Sequence, residues 1–197
     1  MEFTPFEDEA LEQSEPSQDS QSAKRFFIDL LETIILAVVL FFAINAVSAR
    51  VRVDGFSMVP TLQDGEYVLV NRLAYRNHLP ERSDIIVFSS PQTTDLDLIK
   101  RVIGLPGDTV EISGGAVRVN GQVLEEPYIA AAPVYNGEWE VPDGKLFVLG
   151  DNRNDSSDSH AWGLLPLENV IGRAILIYWP IHDWNLIDHV ESVAAIR

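Results

Sequence analysis

Residues 33–49, TIILAVVLFFAINAVSA, form a run of 17 residues without a single charge. That length sits at the short end of what spans a bilayer as a helix. Extending it back to Phe26 lengthens the span and places Asp29 and Glu32 near an interface. A buried core helix competes with a membrane helix for this run. A cleaved leader is disfavoured, because some two dozen polar residues precede the basic pair Lys24-Arg25, too many for the charged region of such a leader. The reading adopted is an uncleaved signal anchor over residues 26–49. Residues 1–25 are expected to be a disordered acidic tail, since residues 1–23 hold acidic, Ser, Gln and Pro residues and no Lys or Arg. Lys24 and Arg25 flank one end of the span and Arg50 and Arg52 the other, so cation counting leaves its orientation almost undecided.

Beyond Val51 the pattern changes to short β-rich runs separated by Gly, Pro, Asn and Asp. Residues 67–71, 84–88, 98–104, 109–112, 146–150 and 173–179 read as strands. Gly114-Gly115 and Asn120-Gly121 read as turns, the second suited to a two-residue type I′ hairpin. Residues 130–145 read as a long surface connection, and the segment after 180 as a short helix or a frayed end. No long helical periodicity follows residue 50. The expectation is a mainly β fold, with an antiparallel sheet over residues 50–197 and a hairpin subdomain at about 106–145.

The net charge is −16, which argues against a nucleic-acid surface and against adhesion to anionic lipid. With no cysteine there is no disulfide, thiolate metal site or cysteine nucleophile. His78, His160, His182 and His189 lack close pairing, so no metal and no cofactor are expected.

Three stretches carry chemistry. In GFSMVPT, residues 55–61, Gly and Pro force a sharp turn that exposes the Ser57 hydroxyl and frees nearby N–H groups, which suit a developing oxyanion. Ser57 bonding its own turn is the plain alternative. A serine needs a base. His160 is one candidate. Lys100 is the other: on a strand it shares a face with Leu98 and Val102, and desolvation there lowers an ammonium pKa. A lysine snorkelling at a sheet rim is the plain alternative. Residues 149–166, LGDNRNDSSDSHAWGLLP, crowd Asp151, Arg153, Asp155, Asp158, Ser156 and Ser159 together. They form either a solvated acidic loop or a platform that holds a lysine in place. The G-x-S-x-G elbow is not met, because position 59 is Val.

Together GFSMVPTL, IKRVIGLPGD and GDNRNDSSDSHAWG resemble the serine, lysine and glycine-aspartate boxes of type I signal peptidases. These are membrane-anchored Ser/Lys-dyad proteases, distantly similar to the self-cleaving domain of LexA-type repressors. The resemblance implies Ser57 as nucleophile and Lys100 as general base, with Ser156 hydrogen-bonded to the lysine. It implies Asp151, Arg153, Asp158 and Gly150 as site support, and Met58 and Pro60 as nucleophile-box residues that shape the site. Some family members carry a side-chain oxyanion donor two residues before the nucleophile. Here that position is Gly55, which leaves the Ser57 N–H. Some members carry Arg at the position of His160, so no essential chemistry is assigned there. The implied activity is removal of signal peptides from exported preproteins after small residues at −1 and −3. The implied partners are preproteins and membrane lipid, without nucleic acid. The implied placement is single-pass, with the tail cytoplasmic and the β-domain outside, in a bacterial plasma membrane or a thylakoid-type membrane. The rivals are a non-catalytic membrane-tethered β-domain that binds a partner, and a processing peptidase of narrower substrate range.

Overall fold

A computed structural model describes residues 18–93 and 96–187. The chain divides into two units, residues 1–44 and 45–197, and all of the β-structure lies in the second. Helix α1 (Gln18–Val47) is long and apolar enough to cross a membrane over Lys24–Val47. It begins inside the stretch expected to be without order. No Gly or Pro occurs between Gln18 and Val47, so nothing there interrupts a helix. Residues 1–17 of that tail lie outside the described residues. The helix stops at Val47, whose carbonyl accepts from the Arg72 N–H at 3.0 Å. Ser48 and Ala49, expected in the anchor, instead open strand β1 (Ser48–Arg52).

Strands β2 (Tyr67–Asn71), β3 (Ile85–Ser89) and β4 (Asp97–Gly104) come next, and then β5 (Thr109–Ser113), β6 (Ala116–Val119) and β7 (Gln122–Val123). The chain continues through β8 (Gly137–Glu140), β9 (Lys145–Leu149), the short helix α2 (Ser159–Trp162), β10 (Leu165–Pro166), β11 (Val170–Trp179) and β12 (Asn185–Leu186). The large sheet runs in the order β1-β2-β11-β3-β4-β9-β10, and all of its pairings are antiparallel. Strand β11 pairs β2 along one edge, and its other edge is shared between β3 and β12. A smaller sheet runs β7-β6-β5-β8.

Two strands expected from periodicity turn out to be buried on both faces. In β3, Ile85 and Val87 join one apolar cluster while Ile86 and Phe88 join another. In β9, Phe147 and Leu149 face the small sheet while Leu146 and Val148 face the opposite side. Continuous apolar runs mark such doubly covered strands. In β2 and β5 only alternate residues are buried, as a single covered face requires. The segment expected to be a bare connection contains β8, which pairs β5 from Thr109↔Glu140 to Ile112↔Gly137. Its sequence, GEWE, has one aromatic among polar residues and shows no strand periodicity. Only the edge of β5 gives it order. Both hairpin turns of the small sheet hold positive φ at both central residues, Gly114 (59°) with Gly115 (78°), and Asn120 (53°) with Gly121 (79°). That is the geometry a type I′ connection needs. After β11, a single 3-10 turn (Ile181–Asp183) leads into β12, in place of a helix or a frayed end up to Ile187.

Phe147 joins the two sheets, fully buried and 4.8 Å between ring centroids from Trp139. Phe147→Ala is expected to lower unfolding stability by about 3–5 kcal/mol, read by urea titration.

Candidate active site

The turn after β1 is built around two buried side chains. Met58 is 1% exposed and Leu62 is fully covered, and both pack in the core cluster with Val53. The Leu62 N–H donates to the Met58 carbonyl at 3.0 Å, and the Gly55 N–H donates to Asp64 Oδ1 at 2.8 Å. Ser57 is thereby lifted to the rim while its neighbour is pinned in the core. Met58 thus shapes the site by anchoring the turn from below. Pro60 is exposed and follows a cis peptide bond.

Lys100 lies on β4 opposite Ile86 and is 3% exposed. Its Nζ donates to Ser57 Oγ at 2.8 Å and to the Ile99 carbonyl at 2.9 Å. Burial lowers its pKa from 10.5 to about 8, against the opposing pull of Asp158 and Asp151. Alternation along β4 places Leu98 and Val102 on the lysine's face, both in the cluster around Phe88. The strand that buries the lysine therefore also makes its ammonium acidic enough to leave a neutral amine available near neutrality.

The loop after β9 supports Ser57 from the other side. Gly150 has no room for a side chain, since a Cβ there would collide with the Ser57 carbonyl oxygen and the Ser156 hydroxyl. The Gly150 N–H donates to Asp158 Oδ2 at 2.9 Å, and its carbonyl accepts from Arg153 Nε at 3.0 Å. Asp151 is fully buried and receives Arg101 through Nε (2.8 Å) and Nη2 (2.7 Å), with the Thr61 hydroxyl on Oδ2 at 2.5 Å. Asp158 also takes His160 Nδ1 at 2.7 Å, and the His160 ring stacks on Tyr135 with centroids 4.0 Å apart.

The expected side chains therefore gather, with corrections. Lys100, and not His160, reaches Ser57. The Ser156 hydroxyl is buried and has no hydrogen-bond partner among the described residues, so the expected bond to Lys100 is not formed. Ser156 instead packs on Gly150 and helps fill the floor beneath Ser57. Ser159 is buried and accepts from the Val148 N–H at 3.0 Å, which closes the loop onto β9. Asp155 is exposed and forms no ion pair among the described residues. Sequence reading also missed partners. Glu126 pairs with Arg153 at 2.6 Å, and Tyr128 lies 3.9 Å beneath the Arg101 guanidinium. Asn152 bonds the turn of Ser57, donating from N–H to the Ser57 carbonyl at 3.0 Å and from Nδ2 to the Phe56 carbonyl at 3.1 Å. Arg101 had a signal of its own, a cation inside an apolar strand. Glu126 had none, because it lies in an ordinary EEP turn. Among the described residues no group of three or more His, Asp or Glu side chains is arranged to hold a metal.

Comparison with known proteins supplies the relations. Residues 27–179 match the family described as signal peptidase, peptidase S26. A signal peptidase I of Leptolyngbya laminosa is 43% identical over 86% of this chain and 90% of that protein. A probable thylakoidal processing peptidase 2 of Arabidopsis thaliana is 38% identical over 78% of this chain and 44% of that one. A crystal structure of a signal peptidase I from Enterococcus faecalis is 36% identical, covering 48% of this chain and 95% of that one, with a TM-score of 0.45.

A buried ammonium penalises the native state whenever the amine is protonated in both states. Lys100→Met is therefore expected to raise unfolding stability at pH 7 by about 1–3 kcal/mol. Between pH about 8 and 10.5 the unfolded chain holds this proton and the native one does not, so wild-type stability rises and the gap closes. Thermal unfolding of both proteins at pH 7 and pH 10 measures this.

Proposed function

This chain belongs to the peptidase S26 family of signal peptidases, and on that premise we propose that it is a membrane-anchored serine endopeptidase acting on the signal peptides of exported preproteins. Ser57 is the nucleophile and Lys100 the general base. The observation that carries this assignment is the 2.8 Å contact between Lys100 Nζ and Ser57 Oγ, made by an amine removed from solvent.

With its amine neutral, Lys100 accepts the Ser57 proton as Oγ attacks the scissile carbonyl. The tetrahedral oxyanion is held by the Ser57 N–H, which donates to no protein acceptor among the described residues. Lys100 then returns the proton to the leaving amine, and in the second half-reaction it takes one from water. The acyl-enzyme is released as the hydroxyl of Ser57 is restored.

The substrate docks as an extended strand. Strand β4 pairs β3 from Asp97 to Arg101 but pairs β9 only from Arg101 onward. Its Asp97–Lys100 half therefore keeps an open edge, directly before the base. Val102 bonds toward the β3 side through Ser83 N–H and Asp84 O. Alternation then turns the Ile99 N–H and C=O to the open edge, where a peptide main chain can pair. Shallow subsites beside it admit only small −1 and −3 side chains.

Residues 1–23 form the cytoplasmic tail, 24–47 the anchor, and 48–197 the extracytoplasmic peptidase domain, with 106–145 as its hairpin subdomain. Helix α1 supplies the span, and the orientation rests on the likeness to the signal peptidase family, since Lys24-Arg25 and Arg50 with Arg52 nearly balance across it. Only nine residues separate Val47 from Ser57, so the nucleophile is tethered within about 35 Å of the helix end. A signal peptide's apolar segment lies in the bilayer, and its cleavage site emerges at the same surface. The thylakoidal relative supports a second reading, a processing peptidase in a thylakoid-type membrane.

Purified enzyme in lipid vesicles is expected to cleave a preprotein bearing an Ala-x-Ala site, with products identified by mass. Ser57→Ala and Lys100→Ala should each abolish cleavage without loss of fold, and a fully active Lys100→Ala would remove lysine from the mechanism. Since only the neutral amine works, kcat/KM should climb with pH along a limb near the Lys100 pKa of about 8. His160→Ala should keep most of its activity, because His160 is bonded to Asp158 and not to Ser57. A loss of about a thousandfold or more would restore histidine as the base.

A further inference from the structure

We propose that Asn152 is a positioning residue for the oxyanion: its side-chain amide fixes and polarises the peptide unit whose N–H is the donor at Ser57. The proposal rests on the assignment of Ser57 as nucleophile.

The Phe56 carbonyl and the Ser57 N–H are opposite ends of one planar peptide unit, so the direction of one sets the direction of the other. Two donors converge on that carbonyl, Asn152 Nδ2 at 3.1 Å and the Val59 N–H at 3.2 Å. They occupy both acceptor positions of the oxygen. Bonds donated to an amide oxygen draw electron density from its nitrogen and strengthen the N–H as a donor in turn. The Asn152 N–H adds a clamp on the next carbonyl, Ser57 O, at 3.0 Å. Two successive peptide units of the nucleophile turn therefore hang on one residue.

Little else holds that plane from the solvent side. Phe56 is 61% exposed, and Gly55 before it has φ of 95° and no side chain. The missing side chain at Gly55 also leaves the Ser57 N–H without help from a hydroxyl donor. Asn152 itself is well placed to bear that load. It follows Asp151, locked by Arg101, and Gly150, whose amide is held by Asp158 and Arg153. The side chain projects from the most rigidly bonded part of the site onto its least supported turn.

The test uses full-length enzyme and the variants Asn152→Ala and Asn152→Asp, the second of which sets an acceptor against the Phe56 carbonyl. Cleavage of a preprotein is measured alongside two peptide inhibitors of the same sequence. One is an aldehyde: Ser57 Oγ adds to its carbon as its proton passes to the neutral Lys100 Nζ, the C=O π bond breaks, and the former carbonyl oxygen takes the oxyanion position. The other has the scissile carbonyl reduced to methylene and presents no such oxygen. Both variants are expected to lose about ten- to a hundredfold in kcat with KM little changed. Aldehyde affinity should fall in parallel while reduced-peptide affinity holds, and the pH limb near 8 should stay in place, because Lys100 keeps its contacts. Thermal unfolding confirms that the variants are folded, and the reduced peptide reports an intact cleft in each. Wild-type kcat in both variants, or an equal loss of both inhibitors, overturns the proposal. A wild-type enzyme that cleaves no preprotein overturns instead the assignment on which it rests.

Discussion

A two-pronged ion pair between Arg101 and Asp151, shut away from water, ties together the three segments that make the site. Arg101 neighbours Lys100 on β4. Asp151 neighbours Gly150 and Asn152 at the end of β9. The Thr61 hydroxyl, four residues past Ser57, closes the triangle on the same carboxylate. A guanidinium and a carboxylate meet in this geometry along two parallel bonds, which fixes angle as well as distance. Removing either partner would strand a buried charge, at a cost of about 3–5 kcal/mol. The registration of Lys100, Ser57 and the supporting loop is therefore held by one buried interaction.

That arrangement permits a buried amine beside two buried carboxylates. Asp151 and Asp158 both favour the protonated form of Lys100, and burial opposes them and prevails. Each carboxylate is also engaged elsewhere: Asp151 with Arg101 and Thr61, Asp158 with the Gly150 N–H and His160. A carboxylate already paired with its own partners presents less field to a neighbour. The same bonds that brace the floor of the site thus let burial hold the Lys100 pKa down to about 8. A second ion pair, Arg153 with Glu126, brings the chain between β7 and β8 onto this floor, with Tyr128 beneath Arg101. The small sheet contributes to the catalytic geometry through this contact.

Legibility followed periodicity. Strand β2 was readable to the residue, because Val68 and Val70 alternate with less buried neighbours. Strand β4 was readable with its faces, so alternation alone set Lys100 against Leu98 and Val102. Strand β8 was not, since GEWE owes its order to the edge of β5. The start of α1 was displaced because polar composition alone says little where no residue breaks a helix. Within the site, Ser156 was given a bond to the lysine by resemblance, and its hydroxyl packs on Gly150 with no hydrogen-bond partner among the described residues. Glu126 and Asn152 are polar residues in polar surroundings. Nothing local distinguishes them until their partners, 27 residues onward for Glu126 and 96 residues back for Asn152, are known.

By itself the sequence determined the apolar helix, the antiparallel β character of the chain beyond it, and the hairpins with their left-handed turn residues. These arise from periodicities and local conformational limits that act over a few residues. Only the tertiary structure decided that Lys100 Nζ touches Ser57 Oγ, that His160 serves Asp158, that Arg101 closes on Asp151, and that Asn152 holds the Phe56 carbonyl. Each of these contacts joins segments brought together by strand order or by a loop closing on itself. A distance of 2.8 Å between side chains 43 residues apart is a property of the sheet, and no local pattern encodes it.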